Sequence, residues 1–369
     1  MDTKLHKLLT DTFRGKQVLV TGHTGFKGAW LCEWLLSLGA EVTGYSLPDI
    51  PTTPSLFEQL GLSQRVNDQR GDVRDSVQIR RVIRDLEPDF VFHLAAQPLV
   101  RLSYDQPVET WNTNVLGTIH ILEALKNLSN PCVAVLITTD KVYENHEWLH
   151  GYRECDPLGG YDPYSSSKAA AELAIQSWRN SFFQKHSVKV ASVRAGNVIG
   201  GGDWALDRIV PDSIRALKEG DSIPVRNKVA TRPWQHVLEP LSGYLLLASR
   251  IAASVEVERL SSSQAAAEEL CTAFNFGPHL ESNRTVKDLV EEILKHWPGS
   301  WDDQSDPHAP HEAGKLNLVW DKSHHLLNWQ PRWRFAETIK KTIEWYQRMD
   351  QGANPLDLTR NQIQEYSKL

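Results

Sequence analysis

Two pairs of ionisable residues and one glycine turn are the places where this chain could do chemistry. Tyr164-Ser-Ser-Ser-Lys168 sets a phenol and an ammonium four residues apart, and therefore on one face of a helix. A lysine charge beside a tyrosine favours the phenolate and lowers the phenol's pKa, so the pair could take a proton from an alcohol near neutral pH. Thr138-Thr139-Asp140-Lys141 follows directly on the apolar run 133–137. The loop beyond a strand's carboxyl end is where open α/β sheets hold ligands, although a polar loop or helix cap would use the same residues. In Arg232-Pro-Trp-Gln-His236 the arginine is a candidate anion clamp, with solvated surface charge as the alternative.

The glycine turn lies at residues 18–28, Val-Leu-Val-Thr-Gly-His-Thr-Gly-Phe-Lys-Gly, where an apolar strand runs into glycines 22, 25 and 28 ahead of the helix-like segment 29–36. Backbone N–H groups at a helix start with no side chain in front of them suit a dinucleotide pyrophosphate. The spacing Gly-x-x-Gly-x-x-Gly departs from the usual Gly-x-Gly-x-x-Gly, and a tight turn without a ligand would need the same residue type.

Strands that must carry these groups are predicted at 18–21, 41–46, 89–94, 133–137 and 189–193, several of them continuous apolar runs of the kind buried on both faces of a parallel sheet. Helix patterns at 113–128 and 167–182 alternate with them. Leu5, Leu8, Leu9 and Phe13 predict a short helix before the first strand. The economical fold is α/β, a doubly wound parallel sheet. Beyond Gly200-Gly-Gly-Asp-Trp204 the alternation breaks, 252–270 is rich in Ser, Ala and Glu and reads as a solvent-facing helix and loop, and Thr285-Val-Lys-Asp288 signals a helix start. The expected division is a dinucleotide-binding domain at 1–195, with a segment near 230–250 returning to it, and a smaller lobe from most of 196–369 covering the carboxyl ends of the strands.

Composition narrows the function class. The chain has 369 residues and a formal charge of −6 with no basic excess, which argues against a nucleic-acid partner. Its four cysteines, at 32, 132, 155 and 271, have no metal-ligand spacing, and a reduced setting is expected. No apolar stretch reaches the ~18 residues of a membrane span, and no signal pattern opens the chain, so a soluble cytoplasmic protein is expected.

Taken in order, Thr21-Gly-x-x-Gly-Phe-x-Gly28, Gly71-Asp-Val73, His93-Leu-Ala-Ala96, Asn114, Thr139, Tyr164-x-x-x-Lys168, Asn197 and Arg232 resemble the pattern of extended short-chain dehydrogenase/reductases acting on nucleotide sugars, from about residue 15 to residue 346. The 4,6-dehydratase branch of that family carries a threonine and two ionisable residues where this chain has Thr139-Asp140-Lys141. Most of the branch has Thr-Asp-Glu there, so Lys141 is a departure. With the strings at 21–30, 140–145, 194–204 and 232–236, it is similar to the members whose sugar is carried on cytidine diphosphate.

The resemblance implies a Rossmann-type fold, NAD as cofactor, and dehydration of CDP-glucose to CDP-4-keto-6-deoxyglucose. It implies catalytic roles for Tyr164 and Lys168 at the 4-hydroxyl, Thr139 holding that hydroxyl, Asp140 as acid for the departing 6-hydroxyl and Lys141 as base at C5. A plain Asp140–Lys141 ion pair is the alternative for the last two. Matching cofactor positions are Gly22, His23, Gly25, Phe26, Lys27, Gly28, Tyr45, Asp72, Val73, Leu94, Ala95 and Ala96, together with Tyr164 and Lys168; Asp72 matches the adenine-binding acid. The second strand ends Gly44-Tyr45-Ser46 without the ribose-binding acid common in NAD sites, which implies looser NAD binding, and His23 and Lys27 would permit a 2′-phosphate. Asn197, Arg208 and Arg232 match positions near the substrate diphosphate, and Trp204 is a candidate to stack on the base. His93 reads as a hydrogen-bonded structural residue. A homodimer through the helices 114–128 and 167–182 is implied. An epimerase or decarboxylase using Tyr164 and Lys168 alone, and a non-catalytic dinucleotide sensor, are the rival readings.

Overall fold

The computed structural model describes residues 4–261, 265–305 and 314–368. Its centre is a seven-stranded, all-parallel sheet of β1 (Gln17–Thr21), β2 (Glu41–Ser46), β3 (Asn67–Arg70), β4 (Phe90–His93), β5 (Cys132–Ile137), β6 (Val188–Ala195) and an edge strand Ala273–Phe276. The spatial order is edge strand, β6, β5, β4, β1, β2, β3. Strand order reverses between β1 and β4, whose last paired residues are Thr21 and His93. A crevice at the carboxyl ends of the strands follows from that reversal.

α1 (Lys4–Phe13) precedes the sheet, and α2 (Phe26–Ser37) follows β1. The short α3 (Leu56–Gln59) lies between β2 and β3, and α4 (Ser76–Leu86) links β3 to β4. α5 (Val100–Asp105), α6 (Pro107–Trp111) and α7 (Gly117–Leu125) come before β5, and α8 (Pro163–Trp178) leads to β6. α9 (Ile209–Glu219) and α10 (Leu238–Ser261) follow. Because side chains alternate along a strand, Val18 and Val20 of β1 join one core with Trp30, Trp34, Leu241 and Leu245, whereas Leu19 joins the opposite core with Ile79, Ile121 and Ile175. The two helix layers are therefore α2, α10, α1 and the last helix Pro355–Lys368 on one face, and α4, α7 and α8 on the other. β5 and β6 are buried along their whole length, as their apolar runs require.

Two strands carry no readable signal. β3 is Asn-Asp-Gln-Arg, a polar edge strand, and Ala273–Phe276 is only four residues long. The predicted helix at 113–128 is broken at its start: residues Asn112–Leu116 form a single wide π turn between α6 and α7. α8 begins four residues before the predicted 167, at Pro163, because Asp162 caps it by accepting from the Ser165 amide at 2.9 Å. Thr285 and Asp288 form the expected capping box on the helix Val286–His296. Of the stretch 252–270, residues 262–264 lie outside those described. Among the described residues no helix is long and apolar enough to cross a membrane.

Candidate active site

A cleft of about 2190 Å³ runs along the carboxyl ends of the strands. Pockets for one small ligand reach ~1,000 Å³, so this cleft has room for two nucleotides. At its cofactor end the glycine turn is built by close approach. Gly22 sits at φ +74°, and a Cβ there would stand 2.7 Å from the Ala95 amide nitrogen. A Cβ on Gly28 would lie 2.2 Å from the Gly22 carbonyl oxygen. Gly25 caps α2 with no side-chain hydrogen bond. The first-turn amides and the positive end of α2 therefore face the cleft, an arrangement that fits a diphosphate.

Phe26, Asp72, Val73, Leu94, Ala95 and Ala96 line the cleft. Asp72 accepts from the Arg74 amide and Nε, both at 2.8 Å. Hydrogen bonding from Arg74 outweighs burial and holds the Asp72 carboxyl below its usual range.

Three predicted cofactor residues behave differently. His23 is fully buried, its ring hydrogen-bonded to Ser46 Oγ at 2.8 Å and Asp68 Oδ1 at 3.0 Å, with its edge against Phe57. The absence of a side chain on Gly44 makes the room: a Cβ there would meet the His23 ring at 2.2 Å. Tyr45 is likewise buried, and its hydroxyl donates to the Asp72 carbonyl at 3.1 Å and to Gln78 Oε1 at 3.0 Å. Neither side chain lines the cleft. Lys27 does line it, but at the catalytic end, with its ammonium 5.8 Å from the centre of the Tyr244 ring. Burial, with the Arg208 and Lys168 charges, lowers Lys27 to about 8. His23 and Lys27 thus supply no 2′-phosphate site at the end of β2.

The floor of the cleft joins the end of β5 to the first turns of α8. Tyr164, Lys168, Thr139 and Lys141 all line the cleft. Thr139 shares a hydrogen bond with the Tyr164 phenol and donates to Asp140 Oδ1 at 3.0 Å. Asp140 itself is fully buried beneath this floor; its Oδ2 has no hydrogen-bond partner among the described residues and faces Gly196, where a Cβ would lie 2.9 Å away. Lys141 Nζ stands 3.5 Å from Asp140 Oδ1 and 3.4 Å from Asn197 Oδ1.

The expectation that Lys168 lowers the Tyr164 pKa is not met. Burial pushes the phenol up to about 12, against the pull of the Thr139 hydrogen bond and the Arg208 charge. Lys168 Nζ instead donates to the Ile137 carbonyl at 3.3 Å, and burial lowers Lys168 to about 8. His93 is structural as expected, hydrogen-bonded to Thr21 Oγ1 at 2.7 Å, and burial lowers it to about 3.

In the remaining arm, Asn197, Trp204, Arg208 and Arg232 line the cleft. Arg208 donates to Asp203 Oδ2 at 2.9 Å and Arg232 to the Thr231 carbonyl at 2.9 Å. Trp204 is mostly packed, edge-on to Tyr346 with ring centres 5.2 Å apart and its Nε1 donating to Gln59 Oε1 at 3.2 Å. Only a small part of its ring is left to meet a ligand. Sequence reasoning missed Glu172, which is buried behind the floor with Thr138, Ser192 and Arg194 as donors. Its position four residues after Lys168, on the same helix face, was the available signal.

Comparison with known proteins places this geometry. The model of the GDP-mannose 4,6 dehydratase family matches residues 19–342. The chain is 47% identical over 361 residues to a CDP-glucose 4,6-dehydratase of Salmonella typhimurium, covering 96% of this chain and 97% of that one. It is 30% identical to a dTDP-glucose 4,6-dehydratase of Streptomyces antibioticus, covering 89% and 92%. Among solved structures, the fold is shared with DesIV, a dTDP-glucose 4,6-dehydratase from Streptomyces venezuelae with NAD and TYD bound, at TM-score 0.75, 22% identity and 92% and 99% coverage. Matched along nearly its whole length, the chain belongs to the GDP-mannose 4,6 dehydratase family.

Proposed function

We propose that this protein is an NAD-dependent CDP-glucose 4,6-dehydratase. Tyr164 takes the proton of the sugar's 4-hydroxyl, while Thr139 holds the same oxygen. NAD, held by the glycine turn and the first-turn amides of α2, would supply the acceptor for the hydride leaving C4 and the donor for the hydride that reaches C6. With a ketone at C4 the C5 proton becomes acidic, because the carbanion is delocalised into the carbonyl. Lys141, in its neutral form, takes that proton; the proton with which the 6-oxygen leaves as water comes from Asp140 by way of the Thr139 hydroxyl, because Asp140 itself is buried beneath the floor. Lys141 then returns a proton to C5, and the sugar ends as a 4-keto-6-deoxy sugar with no net oxidation.

One observation carries this reading: Tyr164 shares its floor with Thr139 and Lys141, and Asp140 lies directly beneath them, hydrogen-bonded to Thr139 and 3.5 Å from the Lys141 ammonium. Epimerisation would need the tyrosine and lysine alone. The glycine turn, the first-turn amides of α2 and Asp72 would hold the NAD pyrophosphate and adenine; Asn197, Arg208 and Arg232 would hold the substrate diphosphate, where guanidinium forks suit phosphate oxygens. We infer the matching division of labour, with 1–195 and the 230–250 segment serving the dinucleotide and most of 196–369 the nucleotide sugar.

The same reading makes the enzyme a cytoplasmic homodimer. Its supports are the free thiols of Cys32, Cys132 and Cys155, and the exposed apolar side chains Val108, Trp111, Leu116, Leu173 and Phe182 on α6, α8 and the π turns that follow each of them. The test is incubation with CDP-glucose, UDP-glucose and dTDP-glucose in turn, with NAD, and mass analysis of the products. Loss of one water from CDP-glucose is the expected result. A mass-neutral isomer would indicate an epimerase, and no change a sensor.

A further inference from the structure

Glu172 is buried in α8, one turn beyond Lys168 and two beyond Tyr164. Its Oε1 accepts from Thr138 Oγ1 at 2.5 Å, and its Oε2 from Ser192 Oγ at 2.8 Å and Arg194 Nη2 at 2.9 Å. Thr138 immediately precedes Thr139, Asp140 and Lys141. Arg194 extends the chain of contacts: its Nη1 donates to Tyr143 Oη at 2.8 Å, its guanidinium lies 5.0 Å from the Tyr143 ring centre, and Tyr143 Oη donates to Asn275 Oδ1 at 2.7 Å. One carboxylate therefore ties together the helix bearing Tyr164 and Lys168, the loop bearing Thr139 to Lys141, and the strand leading to Asn197.

We infer that Glu172 is a positioning residue of the reaction, acting through Thr138 and, one helical turn away, Lys168: it fixes the separation of the two catalytic segments and sets a negative charge behind the Lys168 side of the floor. This rests on the dehydratase reading above.

The electrostatic surroundings agree. Burial pushes Glu172 upward, but the Arg194 charge and the donated hydrogen bonds outweigh it and hold the carboxyl below its usual range. Around Lys168, the Ile137 carbonyl of β5 accepts from its ammonium, His93 of β4 is neutral, Lys27 of α2 is a like charge, and Glu172 is the negative charge that opposes burial. Facing Glu172 are Arg194 on β6, Thr138 beyond β5 and Arg179 in the turn after α8. Without the Glu172 charge, Lys168 would lose its proton at lower pH.

The test compares the pH profile of kcat for CDP-glucose dehydration in the wild type and in E172Q, which keeps the shape and removes the charge. The expected result is a ten-fold or larger fall in kcat at neutral pH, with the alkaline limb moved about one pH unit lower, while the thermal midpoint shows a folded protein. T138V, which removes one donor to Glu172, should move the limb in the same direction by less, and T138S should restore the wild-type profile. An unmoved limb in folded E172Q overturns the inference and leaves Glu172 a structural residue. Should E172Q not fold, the T138V and T138S pair decides in the same way. A wild type that dehydrates none of the three sugars overturns both this inference and the reading beneath it; an active wild type with an unmoved variant limb overturns this one alone.

Discussion

At the scale of single residues, Lys141 is the position where the two readings of the site diverge most sharply. Its Nζ lies 3.5 Å from Asp140 Oδ1, a geometry that an ion pair and a poised acid and base would share. Removal of a catalytic base costs roughly 10²–10⁴-fold in turnover, whereas loss of a structural partner of the buried Asp140 carboxyl costs about 1–3 kcal/mol of stability. Lys141→Met is therefore expected to abolish loss of water while the earlier oxidation at C4 still yields reduced-nicotinamide absorbance; retention of full dehydration with a lowered melting temperature would make Lys141 a structural partner. Tyr164→Phe is expected to abolish that absorbance change as well, because it removes the group that accepts the 4-hydroxyl proton. Tyr164, Lys168 and the 139–141 run were legible because a helix repeat and a strand end fix where such side chains point. The side chains of His23 and Tyr45, expected toward the cofactor, turn away from the cleft. Their partners Asp68 and Gln78 lie far away in sequence, and no local spacing announces them.

At the scale of elements, the turn from β1 into α2 depends on backbone that only glycine tolerates. Gly22→Ala meets both a positive φ and a Cβ 2.7 Å from the Ala95 backbone. The expected cost is about 1–3 kcal/mol in stability, with a loss of NAD affinity visible by calorimetry. Wild-type NAD affinity in this variant would mean that the turn is not the pyrophosphate site. The start of α8 depends on Asp162, whose Oδ1 accepts from the Ser165 amide at 2.9 Å and whose Oδ2 accepts from Ser165 Oγ at 2.6 Å. Asp162→Ala should cost about 1 kcal/mol in urea unfolding. Because Tyr164 stands in that first turn, kcat should fall by more than the stability loss explains. The apolar strands were legible from their runs. β3 was not: an edge strand whose burial is partial can be made of Asn, Asp, Gln and Arg, because its backbone pairing with β2 supplies the order that side-chain pattern does not.

At the scale of the whole molecule, the exposed apolar residues of α6, α8 and their π turns form the proposed dimer face. Leu173→Glu with Trp111→Glu is expected to give a monomer by light scattering where the wild type gives a dimer; a wild-type monomer would remove the proposal. A second prediction concerns stability and pH. Glu239, at the start of α10, is fully buried and accepts from the Arg332 and Trp333 amides and from Tyr366 Oη. Burial outweighs those hydrogen bonds and raises it from 4.5 to about 7. The folded chain thus binds this proton more tightly than the unfolded one. Its contribution is complete below pH 4.5 and is lost as pH rises through about 7, a change of about 3 kcal/mol. In urea the stability of the wild type relative to Glu239→Gln should fall by that amount from pH 5 to pH 8, and a pH-independent difference would contradict it. By itself the sequence determined the parallel α/β fold, the glycine turn and which ionisable groups meet at the carboxyl ends of the strands, because these follow from local periodicity, strand ends and helix spacing. Only the tertiary structure decided that Asp140 lies beneath the floor, that Trp204 packs on Tyr346, that the edge strand Ala273–Phe276 completes the sheet, and that Glu172 joins three segments. Each of these is a contact between residues distant in the chain, and burial by such neighbours sets both where a side chain points and which protonation state it prefers.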